Sequence, residues 1–193
     1  MHENLQTVYD SLSTNPTHDD LLFVTQVYVG TNCLMRLTEL TWPDKLDLRD
    51  YQKVSMRHSV QFLTNALSFW LPGHKADKVF KGNQLIVHQS AMPNACSLFH
   101  SYLVSHDARF LIRPELWIRA NGTILTRAWF IARLRWVFAS SIAGQSMWAG
   151  GATALAEAGT LPNLIQTAGR WTIDTFNRYV QKNPFLFEAL LLG

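Results

Sequence analysis

Between Gly144 and Pro184 the chain reads GQSMWAGGATALAEAGTLPNLIQTAGRWTIDTFNRYVQKNP, and its punctuation divides the stretch into three short helices. Ser146 offers an N-cap hydroxyl, Ala152 to Ala158 continues a small-residue helix, and Gly159 ends it. Pro162 stands where a first helical residue tolerates a missing N–H, and Gly169 closes the second helix. Arg170 and Trp171 follow, then a third helix carrying Tyr179, which Pro184 stops.

Upstream, residues 1–20 are a polar lead-in ending in STNPTHDD, where Asp19 or Asp20 can cap the next element. Leu21 to Leu37 is apolar almost everywhere and predicts a buried helix, with Gly30 as a point of interruption. WPDKLDLRDY is a polar connection. Val54 to Trp70 and VFKGNQLIVHQ are strand-like and flank a turn at Pro72, Gly73 and His74, which predicts a small antiparallel β unit. Cys96 to Ser105 reads as a helix, and RPELW as a connection. Thr123 to Phe138 is an amphipathic helix with Thr126 as N-cap. Phe130, Leu134 and Val137 form its apolar face, and Arg127, Arg133 and Arg135 its polar side. There is no internal repeat, low-complexity tract or long linker. The expectation is one domain over residues 1–193, α+β and mostly α-helical with a small antiparallel β-sheet.

Charge is unevenly spread. The net charge is +3; residues 1–96 hold 8 basic and 9 acidic side chains, and the remainder 9 basic and 5 acidic. Eight of those nine are arginine, the side chain suited to bidentate phosphate contact. Cys33 and Cys96 form no CxxC pair and the histidines are scattered, so neither a disulfide framework nor a metal site is expected. No apolar run reaches about 18 residues and the N-terminus lacks a signal pattern, so a reducing, intracellular compartment without membrane contact is expected.

The AGGATALAEAG and AGRW runs, with Tyr179 eight residues after Trp171, resemble the catalytic end of the tyrosine recombinases of the phage-integrase type. The resemblance implies a DNA breaking–rejoining core acting on double-stranded DNA without metal or cofactor. A tyrosine oxygen attacks a backbone phosphate, leaving a 3′-phosphotyrosyl link and a free 5′-hydroxyl. By this likeness Tyr179 is the nucleophile. Arg36, in CLMRLTELTW, clamps the scissile phosphate, a role compatible with an ion pair to Glu39. Lys75 is the general acid toward the leaving oxygen, and Trp171 supports the phosphate pocket. Arg170 and the basic helix with Arg127, Arg133 and Arg135 are expected on DNA.

Two positions depart from the pattern. Gln145 occupies the histidine slot and cannot shuttle a proton at neutral pH, and Trp148 occupies the second arginine's slot with one uncharged N–H. Losing one such stabiliser costs about 3 to 4 kcal/mol in the transition state, so activity is expected to be impaired. RLTELTWPDKLDLRDY and LPGHKADK resemble a fungal mobile-element branch, which implies a nuclear setting. The helical core-binding domain that the family carries ahead of its catalytic one is expected to be absent. The apolar tail at 184–193 is expected either to dock on a second copy or to fold back on its own core. The competing readings are an inactive DNA-binding relative and a protein-interaction module using that tail.

Overall fold

The computed structural model describes residues 2–12, 14–73, 81–89, 95–138, 146–180 and 187–188, with the backbone course alone at 2–4, 146–148 and 179. The polar lead-in contains a helix, α1 (His2–Asp10), whose Val8 is fully buried. The Tyr28 hydroxyl donates to the Leu5 carbonyl at 2.9 Å and ties α1 down.

Helix α2 (His18–Asn32) is the axis of the molecule, buried from Leu22 through Thr31. Its cap differs from expectation: Thr17 is the N-cap and Asp20 the third helical residue of a capping box. The Asp20 N–H donates to the Thr17 hydroxyl at 3.2 Å, and the Thr17 N–H donates to the Asp20 carboxylate at 3.0 Å. Burial alone would raise the Asp20 carboxyl. The Thr17 hydrogen bonds and the Arg133 guanidinium instead hold it below the usual carboxylate range. Gly30 lies inside α2 rather than interrupting it. The helix ends in a Schellman turn, with Met35 N–H donating to Gly30 O at 2.8 Å and Leu34 N–H to Thr31 O at 3.3 Å. The left-handed position falls on Leu34, at φ 49°.

Arg36 therefore stands outside α2, as the N-cap of a single turn, α3 (Leu37–Leu40). Val54 to Trp70 is not one strand but a 3₁₀ turn (Arg57–Ser59) followed by β1 (Gln61–Leu63), a tight turn and the start of β2 (Ala66–Leu71). With β3 (Asn83–His88) these make a three-stranded antiparallel sheet in the order β1-β2-β3. Leu67 faces Val87 and Phe69 faces Leu85 in register, and the four side chains line the buried face.

Helix α4 (Ala95–Arg109) packs on α2 and on β3. Between helix and sheet lies an aromatic stack: Trp117 lies 5.3 Å from Phe99 and 5.6 Å from Tyr102, both near-parallel. Helix α5 (Arg127–Val137) starts at Thr126, whose hydroxyl accepts from Trp129 N–H at 3.4 Å, and buries Phe130 and Leu134 as expected.

The last three described helices are α6 (Ser146–Glu157), α7 (Pro162–Ala168) and α8 (Ile173–Val180). They close a second, smaller core of Leu34, Ala152, Ala156, Ile165, Trp171, Phe176 and Val180. Here α6 crosses α2 so closely that a Cβ on Gly151 would lie 2.4 Å from the Thr31 carbonyl oxygen. Gly159, at φ 77°, ends α6. No helix among the described residues is long and apolar enough to cross a membrane.

Two outcomes follow from this packing. Gly151→Ala meets rigid backbone and should lower stability by about 1–3 kcal/mol in urea unfolding. His18 is buried, with its Nε2–H donating to Ile118 O at 2.8 Å and its Nδ1 accepting from the Ser105 hydroxyl. Burial holds this imidazole below its ordinary value of 6.5, against the Ile118 hydrogen bond and Asp19, which raise it. Below that pH the unfolded ring takes up a proton that the folded ring resists. Unfolding midpoints should fall from pH 7 to pH 5, and His18→Gln should flatten the dependence.

Candidate functional site

The turn that ends α2 and the turn that ends α7 meet, and a buried carboxylate joins them. Because α3 is one turn long, Glu39 comes back over its own N-cap. Its Oε2 accepts the Arg36 backbone N–H and its Oε1 accepts Arg36 Nη1, both at 3.0 Å. Arg170 then reaches the same carboxylate from the C-terminal helices, with Nη2 2.9 Å from Oε2. Arg36 closes the loop by donating Nη2 to the Arg170 carbonyl at 3.4 Å.

Both terminal nitrogens of Arg170 are engaged in this work, while its buried Nε finds no acceptor. Its Nη1 donates to Cys33 O at 3.2 Å and to Ala168 O at 3.0 Å, and its Nη2 to Leu34 O at 3.4 Å. These are carbonyls from the ends of α2 and α7, where a helix leaves acceptors free and favours a cation. The local sequence forces the geometry. A Cβ on Gly169 would lie 2.5 Å from the Trp171 indole, so position 169 must be glycine although its own φ is ordinary. The left-handed residue of the turn is then Arg170, at φ 52°. That conformation costs about 1–2 kcal/mol, which its hydrogen bonds offset.

The two arginines differ in access. The Arg36 side chain is 19% exposed, that of Arg170 7% and that of Glu39 3%. Arg36 uses Nη1 and Nη2 on protein, and its side chain is the more exposed of the two. The expectation that Arg170 lies on DNA is corrected: its guanidinium is an interior strut. Arg133 is paired with Asp20 and lies 5.3 Å over the Trp129 ring, with 30% of its side chain exposed. Arg119 stacks on the same ring at 5.4 Å, a partnership that nothing in the local sequence signals. Arg127 and Arg135 are exposed on α5.

Trp171 is buried in the second core and stacks on Phe176 at 5.7 Å. Phe176 and Val180 seat α8 in that core, and Tyr179 belongs to this helix by its backbone. Trp148 lies in the first turn of α6 by its backbone. Lys75 and Gln145 fall outside the described residues, as does the tail apart from the exposed Phe187 and Glu188. The residue that sequence reasoning undervalued is Glu39. Its spacing from Arg36 signals one ion pair, but the second partner lies 131 residues away.

Glu39→Gln leaves two largely buried guanidiniums with a neutral partner and should cost about 3–5 kcal/mol of stability in urea unfolding. Glu39→Gln combined with Arg170→Met should cost less than the sum of the single variants, since the pair is removed together.

No protein-family model matches the sequence, and no curated protein is similar to it in sequence. Solved structures are similar in fold. One is XerH site-specific recombinase bound to difH substrate in a pre-cleavage complex, with a TM-score of 0.65 and 14% identity, covering 92% of this chain and 47% of that one. Another is the same recombinase bound to palindromic difH substrate in a post-cleavage complex, with a TM-score of 0.66 and 14% identity, covering 94% and 48%. The chain thus spans about half the length of those recombinase chains. At this identity the likeness is one of fold. The α+β, mostly helical architecture with its small antiparallel sheet is shared with those recombinase chains.

Proposed function

We propose that the chain binds double-stranded DNA and carries the strand-breaking and rejoining chemistry of a tyrosine recombinase, in a form weakened at two positions. The observation that carries this reading is the Arg36 guanidinium, held by Glu39 and by the Arg170 carbonyl in a side chain that is still 19% exposed. A guanidinium fixed in this way can take a phosphodiester oxygen without first losing side-chain freedom. Tyr179 attacks the phosphorus and gives its hydroxyl proton to solvent, forming the O–P bond of the 3′-phosphotyrosyl link as the P–O bond to the 5′-oxygen breaks, and Lys75 supplies that leaving oxygen's proton. Trp171 sets the position of α8 by its stack on Phe176. Arg127 and Arg135 add phosphate contacts from the exposed side of α5.

Gln145 and Trp148 account for the weakness. With Trp148 in place of a second arginine, Arg36, Glu39 and Arg170 together supply one net positive charge to a developing phosphorane. This favours, as a second reading, a DNA-binding relative that no longer cuts. The likeness of RLTELTWPDKLDLRDY to fungal mobile-element proteins suggests that either form works in the nucleus, and the apolar tail suggests pairing of copies on DNA.

A nicked suicide duplex tests the proposal. The unaltered chain should give a slow covalent adduct that Tyr179→Phe abolishes, and Trp148→Arg should raise its rate by about 10²–10³-fold. An adduct only after Trp148→Arg would favour the non-cutting reading. No adduct in any form, with no salt-dependent shift of duplex DNA, would overturn both.

A further inference from the structure

Asn121 is the one asparagine in the sequence that a glycine follows. The pair stands at the tip of a hairpin closed by the Ile118–Ile124 bridge. Arg119 N–H donates to Thr123 O at 2.9 Å, and Gly122 N–H donates to Arg119 O at 2.8 Å. Gly122 has φ 77°, the conformation that selects glycine at such a tip. Asn121 itself is exposed, and asparagine is among the thermolabile side chains.

The side chain of Asn121 is held in one position. Its Oδ1 accepts the Thr123 hydroxyl at 2.7 Å and the Thr123 N–H at 3.1 Å. Two donors on one amide oxygen draw electrons from Cγ and are placed to stabilise charge that develops on that oxygen. Two cations lie beside the tip. Arg113 Nη2 donates to Gly122 O at 3.0 Å, and Arg119 opens the turn while stacked on Trp129. The Asp19 carboxylate accepts the Ala120 N–H at 2.7 Å and so holds the half of the tip that precedes Asn121.

The Gly122 nitrogen is the nucleophile within reach of Cγ. Glycine brings no Cβ to shield it, and a Cβ built there would meet nothing closer than a Phe110 ring carbon at 3.9 Å, so the approach is open. The hydrogen bond from Gly122 to Arg119 O opposes attack. On an exposed tip such a bond opens at little cost, and the activated amide then decides the rate.

We propose that Asn121 is a site of spontaneous modification, converting to aspartate and isoaspartate through a cyclic imide, with Thr123 activating its amide. The Gly122 nitrogen bonds to Cγ as the bond from Cγ to the side-chain nitrogen breaks. Ammonia leaves with the proton that Gly122 gives up. Water then opens the ring. Opening at Cγ restores the main chain with a carboxylate, and opening at the backbone carbonyl routes the main chain through Cβ and Cγ. The second product lengthens the turn that leads into the Thr126 cap of α5. The reaction needs only water and is independent of strand transfer.

The full chain, kept in warm, mildly alkaline buffer and then digested with trypsin, tests this through the peptide Ala120–Arg127, in which Asn121 is the only amide side chain. Mass spectrometry should show it gaining the one mass unit by which a hydroxyl exceeds an amino group, several-fold faster than the peptides that hold Asn65 and Asn163. Chromatography should resolve two products of equal mass. Thr123→Val should slow the conversion several-fold in the folded chain but not in urea, and Thr123→Ser should keep the original rate. An Asn121 that converts no faster than Asn65, or a folded Thr123→Val chain that converts at the unaltered rate, would overturn the proposal.

Discussion

The Glu39 carboxylate accepts a backbone N–H and two guanidiniums, and through it the two cores of the protein are joined. A carboxylate 3% exposed is tolerable only if every lone pair meets a donor, and here charged donors do most of that work. The arrangement divides the labour between two similar residues. Arg170 sits deeper, where it ties carbonyls from the ends of α2 and α7 together. Arg36 is nearer the surface, and its position depends on the carboxylate and carbonyl that hold it. A cation fixed in place before its ligand arrives costs little to reorganise when it binds.

The same junction explains an oddity of the backbone. Leu34 and Arg170 are the only described non-glycine residues at positive φ, and they occupy the left-handed positions of two Schellman turns that face each other. Glycine would be the relaxed choice at either. Leu34 instead contributes its side chain to the second core, and Arg170 contributes a guanidinium to the turn opposite. Gly169 is reserved for a different need, the close approach of the Trp171 indole. The backbone strain thus collects at the place where the candidate site is assembled.

Much of the fold was legible because it follows from local pattern. The all-round apolar run of α2, the amphipathic α5 with its Thr126 cap, and the glycine and proline punctuation of α6 and α7 each declare themselves within one element. The lead-in helix α1 was not legible. Its dependence on α2 through Leu5 and Tyr28 is a tertiary contact with little local signal. The site divides in the same way. Arg36 with Glu39 three residues on is a readable pair. The burial of Arg170 and the capture of Arg133 by Asp20 depend on partners 131 and 113 residues distant. An arginine on a helix face reads as a surface cation until a distant carboxylate is shown to claim it.

Arg36 is the more accessible arginine and Arg170 the buried one, and the side-chain Nε–H resonances of the two report this difference directly. On addition of duplex DNA at low salt, the Arg36 resonance should shift and return as salt is raised, while the Arg170 resonance stays where it is. A shift of Arg170 with Arg36 unmoved, or DNA binding that disturbs neither, would contradict the assignment of the two roles.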